Sequence, residues 1–162
     1  MGNPALLALR IVLGLGLAGS LFVQVVLVPL LAIDLDEAPA AVRVPVILIV
    51  LLGIVTTQVT MVCVWRLLTM VRRGTVFSHA AFRYVDIVIG AIAVASLLTF
   101  ALGATLAPGE AVPPGVVLLI GGMGLMVAGV ALLVLVLRTL LAQAVTREAE
   151  AQHLKAELNE VI

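Results

Sequence analysis

Residues 70–86 read MVRRGTVFSHAAFRYVD, and they interrupt a chain that otherwise consists mainly of Leu, Val, Ile, Ala and Gly. Hydrophobic residues make up 64% of the 162 positions, charged residues make up 11%, and the mean hydropathy is +1.32. A typical soluble domain is about half apolar and about a quarter charged. This chain has too few polar side chains to cover a water-soluble core, so its composition predicts an integral membrane protein.

Four apolar stretches surround this segment, two before it and two after it. We place them at about residues 10–33, 45–69, 84–107 and 115–138. At a rise of about 1.5 Å per residue, each is long enough to cross a hydrocarbon layer of about 30 Å with some tilt. Only helices pair all their backbone groups in lipid. The sequence therefore predicts an all-α fold, an integral membrane four-helix bundle over residues 1–138.

Lysine and arginine are distributed unevenly between the connections. Eight of the nine flank the N-terminus, the 70–86 segment or the C-terminal tail, and Arg43 alone lies in the other two connections. The eight are Arg10, Arg66, Arg72, Arg73, Arg83, Arg138, Arg147 and Lys155. Cytoplasmic connections of membrane proteins carry such an excess. We therefore expect both termini and the 70–86 turn to be cytoplasmic, with these cations in contact with the head groups of the lipid bilayer.

The turn itself has the residues of a tight helical hairpin. Gly74 follows a helix end that carries Arg72 and Arg73, which is typical of a left-handed glycine that terminates a helix. Ser78 is placed to cap the third helix, with Phe77 at the preceding staple position. A contact of these arginines with a partner protein or with lipid is compatible with this structural role.

Asp86 lies about two turns into the third helix, near the predicted inner interface. Arg83 precedes it by three residues, and Arg66 or Arg138 could reach it from neighbouring helices. An ionisable residue within a membrane helix is a functional candidate. The shallow depth of Asp86 favours a structural ion pair.

The sequence predicts no catalytic, metal or cofactor site. Ser78, His79 and Asp86 are the residue types of a hydrolase triad, but adjacent residues on a helix do not face each other. His153 is the second and last histidine, and Cys63, the single cysteine, is read as a small apolar filler. The net charge of zero gives no basic surface for direct binding of nucleic acid.

Two glutamines, Gln24 and Gln58, lie near the middle of the first and second spans. They can hydrogen-bond to each other across antiparallel helices and so join the two spans. The alternative is a small polar cavity or path for a ligand. No charged residue lies at the midplane, which argues against ion-coupled transport.

Small residues recur at helical spacing in the fourth span, at Gly121, Gly124, Ala128 and Ala131. Such stripes allow helix backbones to approach closely. The pattern favours packing inside the bundle, and a homo-oligomer through the same stripe is the alternative.

Residues 139–162 differ in character from the spans, since they are rich in Ala, Glu, Leu and Gln and contain neither Pro nor Gly. They predict a cytoplasmic amphipathic helical tail that continues the fourth span. Leu154, Leu158 and Val161, which we call the tail seam, fall on one face of this helix. The tail is either a solvated extension or a docking face for the turn or for another protein.

The four-span plan, the turn RRGTVFS at 72–78 and the terminal AELNEVI at 156–162 together resemble a family of bacterial membrane proteins, number 2975 among the domains of unknown function. The resemblance covers nearly the whole chain. The positions that match recurrent family residues are Gly74, Phe77, Ser78, Glu160, Val161 and Ile162. Family membership implies four transmembrane helices and carries no catalytic residues.

Genes of this family often lie beside a gene for a small helix-turn-helix regulator. The resemblance therefore implies a regulatory or sensory protein of the bacterial cytoplasmic membrane, without catalytic activity, that acts with a small DNA-binding transcription factor. The alternative is a small transporter or channel subunit whose polar path runs near Gln24 and Gln58.

Overall fold

The computed structural model describes residues 4–74, 79–109 and 112–162, and all regular structure in these ranges is helical. The first span, Pro4–Asp34, is built from α1 (Pro4–Phe22), a π-helical segment (Val23–Leu27) and α2 (Val28–Asp34). The other three helices are α3 (Ala40–Arg72), α4 (His79–Leu106) and α5 (Pro114–Val161). The first span and these three helices are each long and apolar enough to cross a membrane, which confirms the predicted all-α membrane fold.

Pro29 explains the change of helix type within the first span. Proline cannot donate to the carbonyl of Val25, and its ring collides with that carbonyl in a regular α-helix. The π-helical segment precedes it, and the N–H of Val28 bonds to the carbonyl of Val23, five residues back. The disruption that Pro29 imposes on the helix thus takes the form of a π-helical segment, and Gln24 lies inside it.

The helix α3 begins at Ala40, earlier than the apolar run that starts at residue 45. Pro39 precedes the helix with extended backbone angles, φ −56° and ψ 139°, and Pro45 is accommodated in the second turn. The Arg43 guanidinium forms an ion pair with Asp36, which joins the connection to the start of the helix. The polar residues before position 45 therefore belong partly to the helix rather than wholly to a loop.

The helix α5 runs without interruption over 48 residues. At about 1.5 Å per residue it is about 72 Å long, more than twice the thickness of a hydrocarbon layer. Pro113 precedes it and Pro114 occupies its first position, where a missing N–H costs nothing. The residues after Arg138 continue the same helix, as their composition predicts.

Successive helices pack against one another, the first span against α3, α3 against α4, and α4 against α5. The backbones approach most closely in the last two pairs. The buried apolar side chains are Val28, Val46, Cys63, Leu68, Ala81, Val88 and Ala131. Leu118 and Met126 of α5 are 79% and 75% exposed, as expected for side chains that face hydrocarbon.

Candidate functional site

The end of α3 carries the cations that the sequence places in the turn. Arg72 and Arg73 are exposed, and the N–H of Gly74 donates to the carbonyl of Val71 at 3.2 Å. Gly74 has φ +68°, which confirms the predicted left-handed conformation. Phe77 and Ser78, predicted as staple and helix cap, lie outside the described residues.

Arg10 of the first span packs against this end of α3. Its guanidinium carbon lies 5.4 Å from the centroid of the Trp65 ring, and its Nη2 donates to Thr69 Oγ1 at 3.0 Å. The Thr69 hydroxyl in turn donates to the carbonyl of Trp65 at 2.9 Å. Because Trp65 and Thr69 are one helical turn apart, they present one face to Arg10. We call these three residues the Arg10 cluster.

A second arginine makes a parallel contact between α4 and α5. The guanidinium carbon of Arg138 lies 5.8 Å from the centroid of the Phe82 ring. Its Nη2 donates to Asp86 Oδ2 at 2.9 Å, and its Nε lies 2.8 Å from Asp86 Oδ1. Of the arginines that the sequence offers to Asp86, Arg138 forms the ion pair, rather than the nearby Arg83. We call Arg138, Phe82 and Asp86 the Arg138 cluster.

The two glutamines meet between the first span and α3. Gln58 Nε2 donates to Gln24 Oε1 at 3.0 Å and to Ser20 Oγ at 3.3 Å. The hydroxyls of Thr56 and Thr60 donate to carbonyls four residues back in their own helix, at 2.7 and 2.9 Å. The polar groups of this region are therefore hydrogen-bonded within the protein, and the glutamines join the two spans as predicted.

The small residues of α5 lie at its contact with α4. Ser96 is buried, and its Oγ donates to the carbonyl of Gly124 at 2.8 Å. A Cβ atom at Gly124 would lie 3.3 Å from the Phe100 ring, so glycine permits this close approach. Gly124 and Ala131 are buried, whereas Gly121 and Ala128 are partly exposed. The stripe thus serves packing inside the fold at Gly124 and Ala131.

The tail seam lies on an exposed part of α5. Leu154, Leu158 and Val161 are 58%, 62% and 86% exposed. His153 Nε2 lies 3.5 Å from Glu157 Oε1, one turn further along the same helix. The sequence also allows the tail to dock on the turn of its own chain. Among the described residues, no contact joins the tail seam to the turn.

The two arginine clusters were not predicted as such from the sequence. From the sequence, Arg10 is interpreted as a determinant of orientation and a contact for lipid head groups, Arg138 also as one of three candidate partners of Asp86, and Trp65 is not singled out. A signal was available, since Trp65 with Thr69 and Phe82 with Asp86 each pair an aromatic residue with a polar residue one turn later. Both pairs lie at the end of a span where cations concentrate.

Over the described part of the chain, no three His, Cys, Asp or Glu side chains lie close enough to hold a metal ion.

Comparison with known proteins gives a family match. The family model described as Protein of unknown function (DUF2975) matches residues 30–162. No curated protein and no solved structure matches the chain.

Proposed function

The chain belongs to the DUF2975 family, and from this premise we propose that it is a regulatory or sensory protein of the bacterial cytoplasmic membrane, without catalytic activity. In this proposal both termini are cytoplasmic, and the tail of α5 binds a small helix-turn-helix transcription factor. The exposed tail seam is the observation that carries the proposal.

The distribution of cations supports the orientation. The contact of Arg10 with Thr69 and that of Arg138 with Asp86 place both arginines at the end of the spans where α3 finishes and α4 begins. Arg43 pairs with Asp36 in the connection at the other end. An end that gathers nearly all the arginines is the one that membrane insertion retains in the cytoplasm.

The geometry of the tail supports a docking role. From residue 139 to Val161 the helix continues for about 35 Å, at about 1.5 Å per residue. Aligned apolar side chains on a solvated helix gain free energy when a partner covers them. Because Leu154, Leu158 and Val161 remain exposed, this surface is available to a partner in the described structure.

The charge of the tail suits a DNA-binding partner. Residues 139–162 contain four glutamates and two cations, Arg147 and Lys155, so their net charge is −2. Proteins that bind DNA carry basic surfaces. An apolar seam with acidic residues beside it is complementary to such a protein, in keeping with the regulator that family resemblance implies.

The test separates the two faces of the tail. Leu154→Glu with Leu158→Glu places two charges in the seam, and Gln152→Glu with Ala156→Glu adds the same two charges on the opposite face. We expect the first pair to abolish copurification of the helix-turn-helix protein encoded beside this chain and to change transcription from its promoter. The second pair should leave both unchanged, and both should leave the thermal unfolding of the spans unchanged.

The transporter alternative rests on Gln24 and Gln58, and it makes the opposite prediction. Gln58→Leu removes the amide that bonds to Gln24 and Ser20, so it should alter solute movement if these groups line a path. In our proposal Gln58→Leu leaves the copurified partner and transcription unchanged. Loss of solute uptake in cells that carry Gln58→Leu, together with normal behaviour of the seam variants, would overturn the regulatory function.

A further inference from the structure

The two arginine clusters differ in charge balance. Arg138 faces the carboxylate of Asp86, whereas Arg10 donates to a neutral hydroxyl, that of Thr69. The Nε atoms of Arg10 and Arg138 are both buried without a hydrogen-bond partner among the described residues, but only Arg138 Nε has a carboxylate oxygen close by, at 2.8 Å. A buried charged donor without an acceptor is unfavourable. The Arg10 guanidinium therefore has a neutral partner and no counter-charge among the described residues, and a negatively charged ligand would balance it.

A cavity lies next to Arg10 at the end of α3. It has a volume of about 340 Å³ and is lined by Arg10, Thr69, Arg72 and Arg73. This volume is within the range of about 300–1,000 Å³ that is usual for pockets that bind small molecules. Three of its four lining residues are arginines and none is acidic, so the site at the end of α3 is electropositive.

We propose that Arg10, Thr69, Arg72 and Arg73 form a binding site for a phosphate group, carried either by an anionic lipid head group or by a soluble phosphate. Arginine binds phosphate oxygens with paired, geometrically matched N–H donors. The site joins the first span to the end of α3, so a bound phosphate also bridges two parts of the fold.

Trp65 provides a direct probe of occupancy, because it is the only tryptophan in the chain. The Arg10 guanidinium lies over its ring, and a phosphate that binds Arg10 changes the electrostatic surroundings of that ring. The fluorescence of Trp65 should therefore respond when the site fills.

The full chain is titrated in neutral maltoside micelles at constant ionic strength, with phosphatidylglycerol in one arm and inorganic phosphate in the other. Phosphatidylcholine serves as the blank, and native mass spectrometry counts the retained lipid. We expect a saturable change in Trp65 emission. A response to phosphatidylglycerol alone identifies a lipid head group as the ligand, and a response to inorganic phosphate identifies a soluble source.

Arg72→Gln with Arg73→Gln removes two cations that line the cavity and leaves the Arg10–Trp65 contact in place. This variant should need about tenfold more of the effective ligand for half-saturation, because each lost cation weakens anion binding. Arg66→Gln with Arg147→Gln removes two exposed cations that do not line the cavity, and it should titrate like the natural chain.

Three results would each overturn the site. They are the absence of a saturable response and of retained lipid in both arms, an unchanged titration in the Arg72 and Arg73 variant, and an equal loss in the Arg66 and Arg147 control. The last of these would show that the net charge of the surface, and not the cavity, attracts the anion. Circular dichroism of each variant confirms that its helices are retained.

Discussion

The pair formed by the first span and α3 and the pair formed by α4 and α5 use the same contact with different chemistry. In each pair an arginine from one helix lies over an aromatic ring and bonds to the residue one turn further along. Asp86 completes the contact in the second pair and Thr69 completes it in the first. Exchange of a carboxylate for a hydroxyl leaves one arginine neutralised within the protein and the other able to bind an external anion.

The pairs also differ in how their helices meet within the membrane. Between α4 and α5 the contact is close, with Gly124 against Phe100 and Gly103 against Ile120. Between the first span and α3, Met61 and Trp65 lie against the glycines of α1, and glutamines hydrogen-bond across the gap. Backbone proximity holds the second pair together, whereas side chains that span a wider gap hold the first.

The largest expected loss of stability comes from a substitution that forces α4 and α5 apart. Gly124→Leu forces a side chain into the Phe100 ring and separates Ser96 from its acceptor. Overpacking costs about 1–3 kcal/mol, and loss of the Ser96 hydrogen bond adds to it, so we expect a total of about 2–3 kcal/mol. The free energy of unfolding, measured by denaturant titration in mixed micelles with circular dichroism, should fall by this amount.

Gly122→Leu is the matched control, because Gly122 is exposed on the same helix and has no atom within 4 Å of an added Cβ. Its unfolding free energy should change by less than about 1 kcal/mol in either direction. Equal losses in the two variants would show that the close contact of α4 with α5 does not determine stability.

A smaller loss of stability is expected when the ion pair of Arg138 with Asp86 is removed. This ion pair joins α4 to α5 and, among the described residues, has no counterpart between the first span and α3. Asp86→Ala leaves Arg138 without its counter-charge, and the Arg138 side chain is only 32% exposed. Charged hydrogen bonds contribute about 1.5–3 kcal/mol when shielded, and the 50% exposure of Asp86 lowers this to about 1–2 kcal/mol. The same unfolding titration measures the loss.

Asp36→Ala provides the comparison, since it removes the carboxylate of the Arg43 ion pair in an exposed connection. Its cost should stay below about 1 kcal/mol. If Asp36→Ala lowers the unfolding free energy as much as Asp86→Ala does, the Arg138 ion pair is no more stabilising for joining two spans.

The long apolar runs and the uneven distribution of cations predict the four helices and the turn. The thickness of the hydrocarbon layer determines the length of each apolar run, and membrane insertion determines which connections carry the cations. Gly74 was predictable for a similar reason, as a left-handed helix end selects glycine. These features depend on residues close together in the chain, so a single sequence contains the information they need.

The pairing of the arginines was not predictable in the same way. Three arginines were within possible reach of Asp86, and the axial register of α4 against α5 decides that Arg138 forms the ion pair. The contact of Arg10 with Trp65 likewise depends on how the first span lies against α3. Sequence spacing defines which residues share a helical face, but not which faces meet.

The smallest effect on stability, and the sharpest test of the comparison, comes from giving the first pair the chemistry of the second. Thr69→Asp places a carboxylate beside Arg10, as Asp86 lies beside Arg138, and should change the unfolding free energy by less than about 1 kcal/mol. Because this carboxylate neutralises Arg10 within the protein, the fluorescence response of Trp65 to phosphatidylglycerol or phosphate should be lost. Thr69→Asn has nearly the same shape without the charge and should retain the response. If both variants lose it equally, the hydroxyl of Thr69 and not the missing counter-charge controls the site, and the proposed difference between the two arginine clusters is wrong.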